Sequence, residues 1–300
     1  MTDQISTLFR TSEKRTNVRS FYKSGPAWIT GVFSAGSRLA PDLTAAAAAR
    51  LFFTTRRTAP KNGEREILGL ASSFRIDEMA AWSWGEGPVI LLMHGWNGRA
   101  TQLGGFVSPL VERGYRVVAF DAPGHGDSPG HQSSLPEMAD RIRRVAAHVG
   151  DVYGVIAHSM GGAATTLALS DGMEIERAVF VSPPSNPQTF LDFFSRAVGI
   201  SEEVRQRVQD RVESRVGRRM SEMRADEIAR RMRIPLLVIH DQDDSHVPLQ
   251  FGESIATAWP GARLVTTEGL GHQRILRAAH VNDLAVDFID AQERPVQTAA

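Results

Sequence analysis

Short apolar runs and amphipathic stretches take turns along most of this chain. Residues 88–93 and 152–157 are almost unbroken apolar runs, the pattern of strands buried on both faces. Residues 116–120, 177–181, 236–240 and 262–267 read as further strands. Helical patterns fall between them. Residues 100–113 predict a helix stopped by Gly114, and 136–149 one stopped by Gly150. An alanine-rich run over 163–169 and the stretches 248–258 and 273–291 also read as helices. Ahead of these, 67–76 and 79–84 predict two strands joined by a tight polar turn at Asp77-Glu78. Strands that alternate with helices imply a mainly parallel sheet covered on both faces.

Two stretches depart from the alternation. Residues 1–60 read as an N-terminal extension. It contains a cationic piece (Lys14, Arg15, Arg19, Lys23), a mildly apolar arm over 27–35, and a helix over 43–53 with Asp42 as its N-cap. The apolar end of that helix, Leu51-Phe52-Phe53, is expected to dock on the main domain at 61–300, after a polar loop over 54–64. The other departure lies between 181 and 236, where no strand is predicted. Residues 186–200 and 201–232 read as two helices, an insertion at about 186–233 that would form a lid. The last residues, 295–300, read as a loose tail.

Composition narrows the function classes. The 300 residues carry 34 Lys+Arg and 34 Asp+Glu, and this neutrality argues against a bulk nucleic-acid binder. There is no cysteine, which removes disulfides, zinc-thiolate sites and a cysteine nucleophile. No apolar run reaches membrane-spanning length, and the expected location is the cytoplasm.

The chemistry centres on Ile156-Ala157-His158-Ser159-Met160-Gly161-Gly162, between a predicted strand and a predicted helix. A serine on so sharp a reversal needs small residues two positions to either side, because the helix start nearly touches the strand end. Ala157 and Gly161 are small; the usual first residue is Gly, so Ala157 is a departure. Four other loops follow strand ends, at the edge where open α/β sheets bind ligands. They are His94-Gly95-Trp96; Asp121-Ala122-Pro123-Gly124-His125-Gly126-Asp127-Ser128; His240-Asp241-Gln242-Asp243-Asp244-Ser245-His246-Val247-Pro248; and Glu268-Gly269-Leu270-Gly271-His272.

Taken together, residues 66–291 resemble the α/β-hydrolase family. The resemblance implies an eight-stranded sheet and a serine hydrolase with nucleophile, acid and histidine in that chain order. Ser159 matches the nucleophile and His272 the base; His246 and His280 are the other histidines considered for that role. Setting Val247-Pro248 in the family's register puts Asp244 on the acid and Asp241 on a glycine position, with Asp243 the runner-up. The backbone N–H groups of Trp96 and Met160 match the oxyanion hole. His94 and His158 would shape the loop and the elbow, and the loop with His125 and His131 reads as a Gly-rich site rim rather than a metal site. No metal or cofactor is expected.

The implied substrate is a small-molecule carboxylic ester. Thioester, amide and carbon–carbon bond hydrolysis, and perhydrolysis, use the same groups, and a non-catalytic small-molecule binder of this fold is the reading from another class. In the insertion, Phe190, Phe193 and Phe194 recur at helical spacing and are expected to wall the acyl side of the site. Residues 201–233 carry ten arginines against seven acids, a pattern expected of a solvated face with pairs such as Glu203–Arg207.

Overall fold

The structure is a computed structural model that describes residues 26–57, 59–60 and 62–291. The cationic residues 14–23 and the tail at 295–300 lie outside the described residues. Three helices come first: α1 (Ala27–Leu39), α2 (Pro41–Phe52) and α3 (Asn62–Gly69). The body follows as β1 (Ser72–Ile76), β2 (Met79–Trp84), β3 (Val89–Met93), α4 (Val107–Glu112), β4 (Arg116–Phe120), α5 (Leu135–Val149), β5 (Val152–His158), α6 (Met160–Ser170) and β6 (Arg177–Val181). Next come α7 (Pro187–Val198), α8 (Glu202–Val216) and α9 (Ala225–Ala229). The chain closes with β7 (Leu236–Asp241), α10 (Leu249–Ala258), β8 (Arg263–Thr267), α11 (Gly271–Arg274) and α12 (Ala279–Asp290).

The strands form one eight-stranded sheet in the order β1-β2-β4-β3-β5-β6-β7-β8. β2 runs antiparallel to β1 and β4, and every other pairing is parallel. The central strands β3, β6 and β7 are buried at every position. Successive side chains go to opposite faces, and both faces are covered. Val89, Leu91 and Met93 join Met138, Ile142, Ala164 and Leu167 of α5 and α6 in one core. Ile90 and Leu92 join Leu110, Val281, Ala285 and Ile289 of α4 and α12 in the other. Each fully buried large aliphatic side chain contributes about 1.5–3 kcal/mol by leaving water, so the unbroken apolar runs are what hold the sheet between its helices.

The structure corrects several expected elements. Residues 62–69 form α3 rather than loop and strand, and β1 begins only at Ser72. Ile67 there packs on the α4–α12 core while its carbonyl accepts from Trp84 Nε1 at 2.9 Å. The predicted helix over 100–113 is a 3₁₀ segment, Ala100–Phe106, followed by the short α4; Gly104-Gly105 interrupts it, and glycine is a poor helix former. The predicted helix over 201–232 stops at Val216. Gly217 takes φ 69°, and its N–H caps the Glu213 carbonyl. The final predicted helix is split into α11 and α12 around a 3₁₀ turn at Ile275–Arg277. Asp42 is not an N-cap: Pro41 opens α2, and Asp42 lies in its first turn, 2.7 Å from Arg207.

Residues 27–35, expected as an arm, lie in helix α1, and α1 and α2 pack on α7 and α8. Beyond α2 the chain is pinned to the body. Ser133 N–H donates to Phe53 O at 3.0 Å, Thr55 N–H to His131 O at 3.0 Å, and Arg56 N–H to Asn97 Oδ1 at 2.7 Å. Among the described residues, no helix is long and apolar enough to cross a membrane.

Candidate active site

Strand β5 ends at His158, helix α6 begins at Met160, and Ser159 alone makes the reversal. Its φ of 52° and ψ of −127° lie where a side chain is strained, at a cost of about 1–3 kcal/mol. The strain is held in place by neighbours. Ser159 N–H donates to Val181 O at 2.8 Å. A Cβ on Gly161 would stand 2.7 Å from both the Met93 and the His94 carbonyl oxygens. A Cβ on Gly95 would stand 2.8 Å from the Ser159 Cβ. The end of β3 and the elbow therefore touch through bare backbone, which is why this motif has no room for larger residues. Ala157 is fully buried and its methyl is accommodated.

The loops after β7 and β8 meet beside the elbow. His272 Nδ1 lies 2.7 Å from Asp244 Oδ2, and the Asp244 Oδ1 accepts from the N–H groups of His246 at 2.8 Å and Val247 at 2.9 Å. Burial alone would raise the Asp244 carboxyl. The hydrogen bond from His272, the charge of that imidazole and the two N–H groups outweigh burial and hold it at about 2. Asp243 is exposed and does not reach His272; its Oδ2 accepts from Gly269 N–H at 2.9 Å.

Asp241, at the family's glycine position, has its own function in the fold. It accepts from Asp243 N–H at 3.0 Å, Gly271 N–H at 2.9 Å, Leu270 N–H at 3.0 Å and Thr267 Oγ1 at 2.7 Å. One side chain thus ties the loop after β7 to the loop after β8. The departure from glycine was visible in the sequence, but the far-off partners that explain it were not.

Three more histidines surround the pair. His158 Nε2 lies 2.9 Å from the His272 carbonyl, so this ring donates there and fixes the backbone of the loop after β8. Burial, and then the neighbouring His272, lower its pKa well below the ordinary imidazole range. His240 Nε2 lies 2.8 Å from Val247 O, and burial lowers it too. His246 stacks on His272 with centroids 5.1 Å apart, and it lines the cavity described below. His280 is exposed on α12. On the β3 side, His94 is buried. It donates from Nδ1 to Gly95 O at 2.7 Å and accepts Ala122 N–H on Nε2 at 3.0 Å. Both nitrogens are spent on shaping the loop.

Ser159, His272, Trp96 and Met160 all line one cavity of about 720 Å³. Phe190 and Phe194 of α7 line it too. Phe193 does not. It is 3% exposed, its ring meets Phe190 edge-on, and it carries the Arg196 guanidinium at 5.0 Å. Helical spacing put three phenylalanines near one another, but a helix turns about 100° per residue, and neighbours 193 and 194 diverge.

Reading the sequence missed part of the wall. Val212 and Val216 of α8, and Met220 and Met223 beyond it, line the cavity, as do Phe52 and Phe53 from the N-terminal segment. The Phe52 and Phe194 rings meet edge-on with centroids 5.3 Å apart. The apolar end of the 43–53 helix was the available signal, though not for a place in the site.

This sheet order, with a serine on a strained turn after β5 and a His–Asp pair after β8 and β7, defines a hydrolase-type α/β fold. The sequence model of the alpha/beta hydrolase family matches residues 90–286, and the chain belongs to that family. It is 29% identical over 259 residues to a non-heme haloperoxidase of Rhodococcus erythropolis, covering 69% of this chain and 94% of that protein. It is 25% identical over 245 residues to a pimeloyl-[acyl-carrier protein] methyl ester esterase of Aromatoleum aromaticum, covering 66% and 96%. Among solved structures, a bromoperoxidase from Bacillus anthracis superposes with a TM-score of 0.55 at 19% identity, over 74% of this chain and all of that one.

Proposed function

We propose that the protein is a serine hydrolase of carboxylic esters that works through an acyl-enzyme on Ser159. The observation that carries this reading is the 2.7 Å His272–Asp244 contact on a cavity shared with the strained Ser159. A serine hydroxyl needs a base to become a useful nucleophile. In this reading His272 Nε2 takes the Ser159 proton as Oγ bonds to the acyl carbon, then gives it to the departing alkoxide. Water adds in the second half, its proton passes to the same nitrogen, and the acid leaves as the Ser159 oxygen regains a proton. Asp244 holds the ring through Nδ1–H and stabilises the transient imidazolium. The N–H groups of Trp96 and Met160 have no protein acceptor among the described residues and would receive the oxyanion. A single such donor is worth about a hundredfold to a thousandfold in rate. The insertion carrying α7 to α9 acts as a lid in this scheme, and its phenylalanines with the N-terminal pair wall the acyl side.

Resemblance to an esterase and a haloperoxidase supports hydrolytic acyl chemistry, and the second name favours one variant of it. If hydrogen peroxide replaces water in the second half, the same acyl-enzyme releases a peracid. The test is a fluorophosphonate probe followed by an ester panel, with a hydrogen peroxide arm scored for peracid. Covalent labelling at Ser159 that heat-denaturation abolishes, with turnover of esters, is the expected result. A folded protein that binds apolar carboxylates yet takes no label would instead be a binding protein of this fold.

A further inference from the structure

Phe53 lines two cavities at once. It borders the 720 Å³ cavity that holds Ser159. It also borders a groove of about 610 Å³ between α2 and α8, which Arg50, Gln132, Arg211 and Arg215 also line. The ring is itself only 3% exposed, and the Arg215 guanidinium sits 4.2 Å over its centroid on the groove side. Its backbone is fixed, since Phe53 O accepts from Ser133 N–H at 3.0 Å and Thr54 bridges to Gln132. Phe52 beside it makes an edge-on contact with Phe53 at 5.8 Å, and with Phe194 of the insertion. An aromatic ring on a fixed backbone, with the cavity on one side and Arg215 and the groove on the other, is a partition. It comes from a segment that precedes the region matched by the family model, residues 90–286.

We infer that Phe53 is the end wall of the acyl-binding cavity and sets the longest acyl chain the site accepts. This rests on the acyl-hydrolase reading above. Acyl methylenes gain by leaving water only while the cavity has room, at no more than about fourfold in catalytic efficiency for each one. The gain must stop where the chain meets the ring. Shrinking the ring would lengthen the cavity toward Arg215 and the groove, and enlarging it would shorten the cavity.

The experiment measures catalytic efficiency on straight-chain esters from acetyl to palmitoyl for the parent, Phe53→Ala, Phe53→Leu and Phe53→Trp. The parent's efficiency should rise with chain length and then break. The break should move to longer chains in Phe53→Leu and further in Phe53→Ala, and to shorter chains in Phe53→Trp. Because Phe53 is buried, Phe53→Ala risks failing to fold, so the leucine and tryptophan variants carry the test if its melting curve is lost. A break at the same length in folded Phe53→Leu and Phe53→Trp overturns the inference.

A second readout needs no turnover. Calorimetric binding of the straight-chain carboxylates is compared between Ser159→Ala and the Ser159→Ala/Phe53→Leu double variant. A length limit that moves here, with no ester turnover by the parent, keeps the partition and overturns the hydrolase reading. A limit that stays put here, with turnover intact, overturns the partition alone.

Discussion

The sheet edge below the cavity and the helical cover above it are built by different means. At the edge, backbone meets backbone: Gly161 and Gly95 lie where a single methyl would strike a carbonyl or the Ser159 side chain, and strands β3, β6 and β7 are wholly buried. The cover is built by side chains. α8 buries only Val204, Val208 and Val212, and its outer positions carry pairs such as Arg207–Glu203 at 2.7 Å. A structure held by backbone contact tolerates few residue types at each position. One held by side-chain packing and solvated pairs tolerates many. The first should therefore lose function when changed, and the second should change its selectivity.

The largest effect is expected at the edge. Ser159→Ala or His272→Ala should each lower turnover by about a thousandfold or more while the melting curve stays near the parent's, since such groups act as a unit. Asp244→Asn should cost far more than Asp243→Asn, because only Asp244 reaches His272. Steady-state kinetics on one activated ester decide this. Equal losses in the two aspartate variants would mean that the acid loop works as a charged patch and not through one contact.

Two glycines sharpen the contrast. Gly161→Ala pushes a methyl to 2.7 Å from two backbone oxygens that cannot move without displacing β3. It should cost about 1–3 kcal/mol or more in stability and abolish labelling of Ser159. At Gly217, the φ of 69° strains an alanine by about 1–2 kcal/mol, but no neighbour lies within 4 Å of the new methyl. Gly217→Ala should lower the melting temperature and leave labelling intact. Loss of labelling in both would erase the distinction between edge and cover.

The same difference explains what could be read from the sequence. The turn at Ser159 and the close approach of Gly95 were legible because backbone geometry demands small residues at particular spacings, and Asp244 and His272 were singled out through the family resemblance. The sheet was legible because both-face burial writes continuous apolar runs. Helix breaks at Gly104-Gly105 and Gly217 and the α3 turn were read wrongly, since local pattern competed with packing that was out of view. Phe52 and Phe53 were seen as a docking surface. Their place in the cavity depends on α2 meeting α8, a contact between segments more than a hundred residues apart, for which a single sequence carries no register.

Acid should test the edge next. Burial lowers His94 to about 4, and burial with the nearby His94 lowers His125 to about 3. Below the unfolded imidazole value of 6.5, the unfolded chain binds protons that the folded chain does not, so stability falls as pH drops from 6.5 toward those values. Each group contributes at most about 1.4 kcal/mol per pH unit. Asp244 works in a lower window: held at about 2 against 3.8, its contribution is complete above 3.8 and is lost only as pH falls toward 2. Urea unfolding across pH should therefore show stability declining from about pH 6.5, and His125→Gln should flatten the slope. Stability that holds constant until pH 4 would assign acid unfolding to the carboxylates instead.

The smallest expected effect on activity belongs to the cover and turns on one helix. Phe193 and Phe194 are adjacent on α7, yet only Phe194 borders the cavity, where it meets Phe52 edge-on. Such an aromatic pair is worth about 0.5–1.5 kcal/mol beyond its buried area, so losing it should lower efficiency on long acyl chains by roughly twofold to tenfold. Phe194→Ala should accordingly flatten the rise of efficiency with acyl length and raise KM more than it lowers kcat. Phe193→Ala removes a ring that is 3% exposed. It should cost stability by about 3–5 kcal/mol, with the acyl-length profile unchanged where the variant remains folded. Efficiency series and melting curves for the two variants separate packing from selectivity within one turn of helix. If Phe193→Ala shifts the profile as much as Phe194→Ala does, then the cover transmits packing changes into the site, and side-chain-held structure is less independent of the chemistry than the two glycines would suggest.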